Sequence, residues 1–166
     1  MIFHARTSLC GLQPRRATAA VELAVCLPVI AVLIIGLLQV GRIVQVTAIL
    51  NNAAREGGRN ASTGTNTYAN VQTVVQNYLT NAGITNQTGL TISVNNVTQG
   101  NAGPNYNPSA ANWMDQLQVT VTLPLSNVSL APVNLLPAST VLSAQAVWFS
   151  NQDQAYPTTI TPPSGS

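Results

Sequence analysis

The groups in this chain that can titrate, attack or ligate are sparse: six Arg and no Lys, the acids Glu22, Glu56, Asp115 and Asp153, a single histidine, His4, and two thiols, Cys10 and Cys26. Ser and Thr are abundant, but a hydroxyl needs a base within hydrogen-bond reach, and none stands near. A metal centre needs several converging carboxylates, thiolates or imidazoles, and the two thiols have no further ligand at metal spacing. Gly57-Gly58 is not followed by the Lys-Ser/Thr of a phosphate loop. The expectation is a protein that catalyses nothing and carries no cofactor and no metal.

Glu22 is the odd group. It stands in the run AAVELAVCLPVIAVLIIGLL, residues 19–38, which is otherwise free of charge. A carboxylate in hydrocarbon costs several kcal/mol unless it is paired or near the interface. Either it sits shallow enough to reach the headgroups, or it waits for a positive partner.

The remaining charge is unevenly spread. Only 6% of the residues are charged, against roughly 25% in an ordinary soluble domain. All six Arg lie at or before Arg59, and beyond it only Asp115 and Asp153 are charged. No basic patch can be assembled in the main folded part, so nucleic acid is excluded as a partner. Seventeen Asn supply the polarity instead. Glycosylation triplets begin at Asn60, Asn86, Asn96 and Asn127, which is what an Asn/Ser/Thr-rich chain generates by chance.

These groups must be positioned by a small number of elements. Twenty helical residues at 1.5 Å rise span about 30 Å, the hydrocarbon thickness of a bilayer. Arg15 and Arg16 precede the run, which predicts an inside N-terminus and an outside C-terminal part. The apolar core exceeds that of a cleaved secretory signal, and no small-x-small site follows Leu38, so a retained anchor is expected. Pro28 removes one helix hydrogen bond and should kink or locally melt the helix. Gly36 and Gly41 offer sites of close helix approach.

The helix is predicted to continue past the membrane. Ile43, Val46, Thr47, Leu50, Ala53 and Ala54 recur at offsets of three and four. Gly57-Gly58 is the first plausible stop, which gives a helix over about 18–58. Tyr68 to Thr80 read as a second, short helix closed by Gly83 in the left-handed conformation. Leu90 to Val97, Leu117 to Leu123 and Thr140 to Phe149 alternate with period two and read as strands of a sheet with one covered face. Trp113 and Trp148 are expected to anchor a loop and pack on the sheet. The long connections are polar, with Asp115 alone in the first of them.

The stretch RRATAAVELAVCLPVIAVLIIGLLQVGRIVQVTAILNNAAREGGR, Arg15 to Arg59, resembles the TadE-like family of tight-adherence pilus assembly proteins. The pieces that carry the resemblance are Arg15-Arg16, the small residues Ala17 to Ala20, Val21-Glu22-Leu23, Pro28, Gln39-Val-Gly41-Arg42, and the Asn52 to Arg59 motif with Ala53, Ala54, Arg55, Glu56, Gly57 and Arg59. The family often has an acid where Gln39 stands and Ala where Gly58 stands.

The resemblance implies an α/β pilin-like fold: a long N-terminal helix with a membrane half and an amphipathic half, a short helix, and an antiparallel sheet of at least three strands. It implies a positive leader over 1–17, a transmembrane helix over 18–41, its amphipathic continuation over 42–59, a small extracytoplasmic domain over 60–150, and a flexible tail over 151–166. It also implies an aspartyl prepilin peptidase that cuts after a small residue, placing Glu22 fifth after a cut between Ala17 and Thr18. The usual Gly before the cut is replaced here by Ala17. The implied partners are the lipid bilayer of the bacterial inner membrane, the major pilin and other components of a tight-adherence pilus. The implied role is that of a pseudopilin or minor pilin. The competing reading is a membrane-tethered binding or adhesin domain that needs neither cut nor polymer.

Overall fold

The computed structural model describes residues 14–100, 103–128, 137 and 139–152. His4, Cys10, most of the expected leader and the expected tail from Asp153 onward lie outside these residues. The chain divides into two units, Met1–Val40 and Gly41–Ser166.

In the first unit the described residues form the beginning of α1, which spans Pro14–Ser62. Its side chains from Val21 to Leu38 are almost all exposed aliphatics. This is one helix long and apolar enough to span a membrane, with none of its most apolar window buried. The helix is continuous through Pro28.

In the second unit, the rest of α1 packs with α2 (Tyr68–Asn81) and three strands, β1 (Thr91–Asn96), β2 (Gln116–Pro124) and β3 (Val141–Phe149). The sheet is antiparallel in the order β1-β2-β3. Alternation decides the faces, since successive side chains point to opposite sides. Leu117, Val119, Val121 and Leu123 of β2 are buried, flanked by Ile92 and Val94 of β1 and Ala144 of β3. Across the sheet Val94 pairs with Val119, and Val119 with Ala146. Val46, Leu50, Ala53, Ala54 and Ala61 of α1, with Val71, Val75 and Leu79 of α2, close the same core. The expected architecture is therefore present, with strand ends within a residue or so of those expected.

Helix α2 begins on Thr67, whose hydroxyl accepts a hydrogen bond from the Asn70 amide, satisfying one orphan donor of the first turn. It ends where Gly83 takes φ +85°. The Ile84 amide then donates back to the Leu79 carbonyl at 2.9 Å, which satisfies an orphan carbonyl of the last turn.

The expected stop at Gly57-Gly58 is incorrect: α1 continues to Ser62. Neither glycine takes a positive φ, and the first that does is Gly64, at φ +71°. Gly57 and Gly58 are needed for contact rather than termination. A Cβ at position 57 would stand 2.7 Å from Val75 Cγ2 and 3.3 Å from Val119 Cγ1, and one at 58 would enter the Trp148 indole. The missing side chains let α1 approach α2 and the sheet closely, and at Gly57, enclosed by core valines, that interior gain outweighs the helix-interior cost of glycine of about 1 kcal/mol.

Candidate functional site along the first helix

The groups with a predicted role lie on α1, and each unit holds its own set. In the first unit Arg15, Arg16 and Ala17 are helical, with side chains outside the described part. The bond between Ala17 and Thr18 falls at the end of the first turn. Glu22 and Cys26 lie on the exposed apolar stretch, Cys26 as a free thiol. Among the described residues, and apart from the helix's own adjacent backbone, nothing would come within 4 Å of a Cβ at Gly36 or Gly41.

In the second unit the helix separates the Asn52–Arg59 motif by face. Ala53, Ala54 and Gly57 are buried. Arg55 and Arg59 are exposed, and Glu56 is half-buried. Arg59 Nε donates to Glu56 Oε2 at 3.0 Å. That hydrogen bond, aided by the guanidinium's charge, holds the Glu56 carboxyl below the usual carboxylate range and raises Arg59 in return. Arg42 donates from Nε to the Val128 carbonyl at 3.4 Å and from Nη1 to Gln45 Oε1 at 3.0 Å. The motif thus has a packing half, made of small residues, and a polar half facing outward.

Sequence reasoning missed the organisation of the β1–β2 connection. Asp115, expected to stand alone, is buried, and its Oδ2 accepts from Asn96 Nδ2, Gln99 Nε2 and the Asn112 amide, each at 2.8 Å. One carboxylate gathers three donors from separate positions, so it shapes the turn. Met114 beside it takes φ +63°, and its amide donates to the Ser150 carbonyl at 3.0 Å. Asn96, one of the glycosylation-triplet residues, is therefore interior. Trp148, expected to pack on the sheet, lies against Gly58 of α1, and Trp113, expected to anchor a loop, is 53% exposed. The turn is anchored by Asp115 rather than by that indole. The signal available in sequence was one acid in an amide-rich connection next to a strand; its donors became visible only once the strands were paired.

Among the described residues no group of three or more His, Cys, Asp or Glu is placed to hold a metal. No curated protein and no solved structure matches the chain. Residues 17–59 match the family model described as TadE-like protein, well under half of the 166-residue chain, and that match takes in Glu22, Pro28 and the whole motif ending at Arg59.

Proposed function

We propose that this protein is a non-enzymatic, membrane-anchored pseudopilin or minor pilin that assists assembly of a tight-adherence type IV pilus. The observation that carries the reading is the TadE-like match over residues 17–59, all of it on one helix with an exposed apolar stretch. In this reading residues 18–41 cross the bacterial inner membrane once and the C-terminal domain is extracytoplasmic. The leader before Thr18 is removed by an aspartyl prepilin peptidase, which needs a slim residue at the cut; Ala17 meets that need less well than Gly.

Hydrolysis of the Ala17–Thr18 bond frees an α-amino group with a pKa near 8 in water. Protonated, it is the positive partner that Glu22 of a neighbouring subunit lacks. The pair offsets desolvation of the carboxylate and fixes the axial register of adjacent helices.

The test is the mass of the mature chain, with crosslinking to the major pilin in the same cells. The expected chain begins at Thr18, Ala17→Leu blocks the cut, and Glu22→Ala is cut normally but fails to crosslink. A functional chain that keeps its leader would sink the prepilin mechanism and favour a simple membrane-tethered adhesin. A fully assembling Glu22→Ala would remove Glu22 from the mechanism.

A further inference from the structure

From Asn60 to Gln152 the sequence holds a single charged residue, Asp115, and it is buried with three hydrogen bonds to one oxygen. Every other charged side chain described in the second unit is on α1: Arg42, Arg55, Glu56 and Arg59. The domain keeps itself hydrated with amides and hydroxyls everywhere else, so charge on this one helix is not a general device for solubility.

Three of the four helix charges are already engaged. Arg42 is tied to Val128 and Gln45, and Glu56 and Arg59 satisfy each other. Arg55 is exposed and has no hydrogen-bond or ion-pair partner among the described residues. It belongs to a stripe of exposed positions, Val44, Ala48, Asn51, Asn52, Arg55 and Arg59, spaced at the three- and four-residue offsets that share one helix face. The opposite face, from Val46 to Ala61, is buried in the domain core.

Resting on the pilin-like reading above, we infer that this stripe is the docking face for a helix of a different protein, and that the partner helix presents an Asp or Glu to Arg55. Among its described acids a second copy is a poor source: Glu56 is paired with its own Arg59, Asp115 is buried and holds three donors, and Glu22 lies in the apolar stretch; Asp153 lies outside the described residues and is decided by the experiment below. Lipid headgroups are a poor source too. Arg55 stands fourteen residues beyond Gly41, about 21 Å along the helix, whereas the polar layer on one side of a bilayer is only about 5–8 Å deep. The complement of a guanidinium with no partner among the described residues is a carboxylate, which Arg engages through two parallel N–H donors.

The experiment places a photo-crosslinking residue at Ala48 or Asn52 of the full-length chain in its native cells, with Asn77, exposed on α2, as control. The expected result is a crosslink from 48 and 52 but not from 77. The crosslinked peptide comes from another protein and contains Asp or Glu within one helical turn of the bond. Arg55→Glu lowers its yield about tenfold or more, the scale expected for reversing one member of a close charge pair, and Arg55→Lys retains most of it. Reversing the partner's acid to Arg restores the crosslink to the Arg55→Glu chain, which also shows that this chain is folded. Crosslinks only to lipid, only to a second copy (its Asp153 included), or to nothing would overturn the inference, as would a yield indifferent to Arg55→Glu. The mass of the mature chain reads the pilin proposal separately. A Thr18 terminus without the crosslink sinks only the acidic partner. A retained leader with an Arg55-dependent crosslink sinks only the pilin mechanism.

Discussion

The indole of Trp148 on β3 lies against the Cα of Gly58 on α1: a Cβ there would stand 2.6 Å from Nε1 and 3.1 Å from Cγ. Its neighbour Gly57 is enclosed differently: a Cβ there would stand 2.7 Å from Val75 Cγ2 and 3.3 Å from Val119 Cγ1. Trp148 remains 36% exposed, so one side of its ring faces open space. Val75 is fully buried and, being β-branched in a helix, has essentially one rotamer.

The two glycines should therefore respond differently to alanine. Gly58→Ala gains about 1 kcal/mol of helix propensity and displaces a partly exposed ring toward solvent, so stability stays near wild type while the tryptophan emission shifts to the red. Gly57→Ala forces a stiff core, where overpacking costs about 1–3 kcal/mol and exceeds the propensity gain. Denaturation midpoints of the full-length chain in detergent decide between them. Equal losses would show that the two sites are alike.

Leu50 is fully buried in the cluster that α1 shares with α2 and the sheet. Leu50→Asp replaces that packing with an unpaired carboxylate, and a cost of about 3 kcal/mol or more is expected. Limited proteolysis should then reach residues beyond 60 that resist it in the wild type. Unchanged resistance would mean that α1 does not contribute to this core.

Replacing Asp115 separates acceptance from charge. Asp115→Ala strands the three donors of Asn96, Gln99 and Asn112, at about 1–3 kcal/mol for a lost buried partner. Asp115→Asn keeps a carbonyl oxygen and should lose less. Urea midpoints rank the two, and amide exchange at Asn112 should quicken mainly in the alanine variant. The reverse order would show that the turn is not built on this acceptor.

Tyr68 donates its hydroxyl to the Ile92 carbonyl at 2.7 Å and accepts from Gln72 Nε2 at 2.9 Å; burial raises its pKa. The associated stability is complete below the ordinary tyrosine value of about 10. It falls as pH rises further, because the unfolded chain ionises first. Glu56, lowered by Arg59, works in the other direction. Its contribution is present above the ordinary Glu value of about 4.3 and is lost as pH falls through the lower folded value. Stability against pH should thus flatten at the alkaline end in Tyr68→Phe and, by a smaller amount, at the acid end in Glu56→Gln, since an exposed pair contributes little. An alkaline limb that survives in Tyr68→Phe would assign it to another group.

The β2–β3 ladder makes a positional prediction. Leu125 N–H donates to Thr140 O, and Ser150 N–H to Asp115 O. In this antiparallel register the even-numbered residues of β3 therefore bond to β2, and the odd-numbered ones turn their N–H groups to the free edge. Ala146→Pro removes a ladder bond and should cost about 3 kcal/mol or more, whereas Gln145→Pro loses none and should cost clearly less. Equal losses in thermal unfolding would mean a different register.

The apolar run, the 3.6-residue stripe from Ile43 to Ala54 and the period-two alternation of the strands were legible in the sequence because each is a local repeat. Periodicity alone tells a helix which face to bury and a strand which side to turn inward. The Arg15-to-Arg59 pattern was legible for the same reason, as neighbours in sequence carried along one helix. Other features depended on elements distant in sequence. Gly57 and Gly58 look like a helix stop until α2 and β3 arrive at their surface; then the absence of a Cβ matters as contact rather than as backbone freedom. Asp115 looks solitary until pairing of β1 with β2 brings Asn96 and Gln99 to it across 19 and 16 residues. Arg55 differs from Arg42 and Arg59 only once the others have found Val128 and Glu56. A local pattern sets which face is buried. Which atoms meet there is set by chain segments that local propensity does not encode, because close packing leaves room for one arrangement of side chains and not its neighbours.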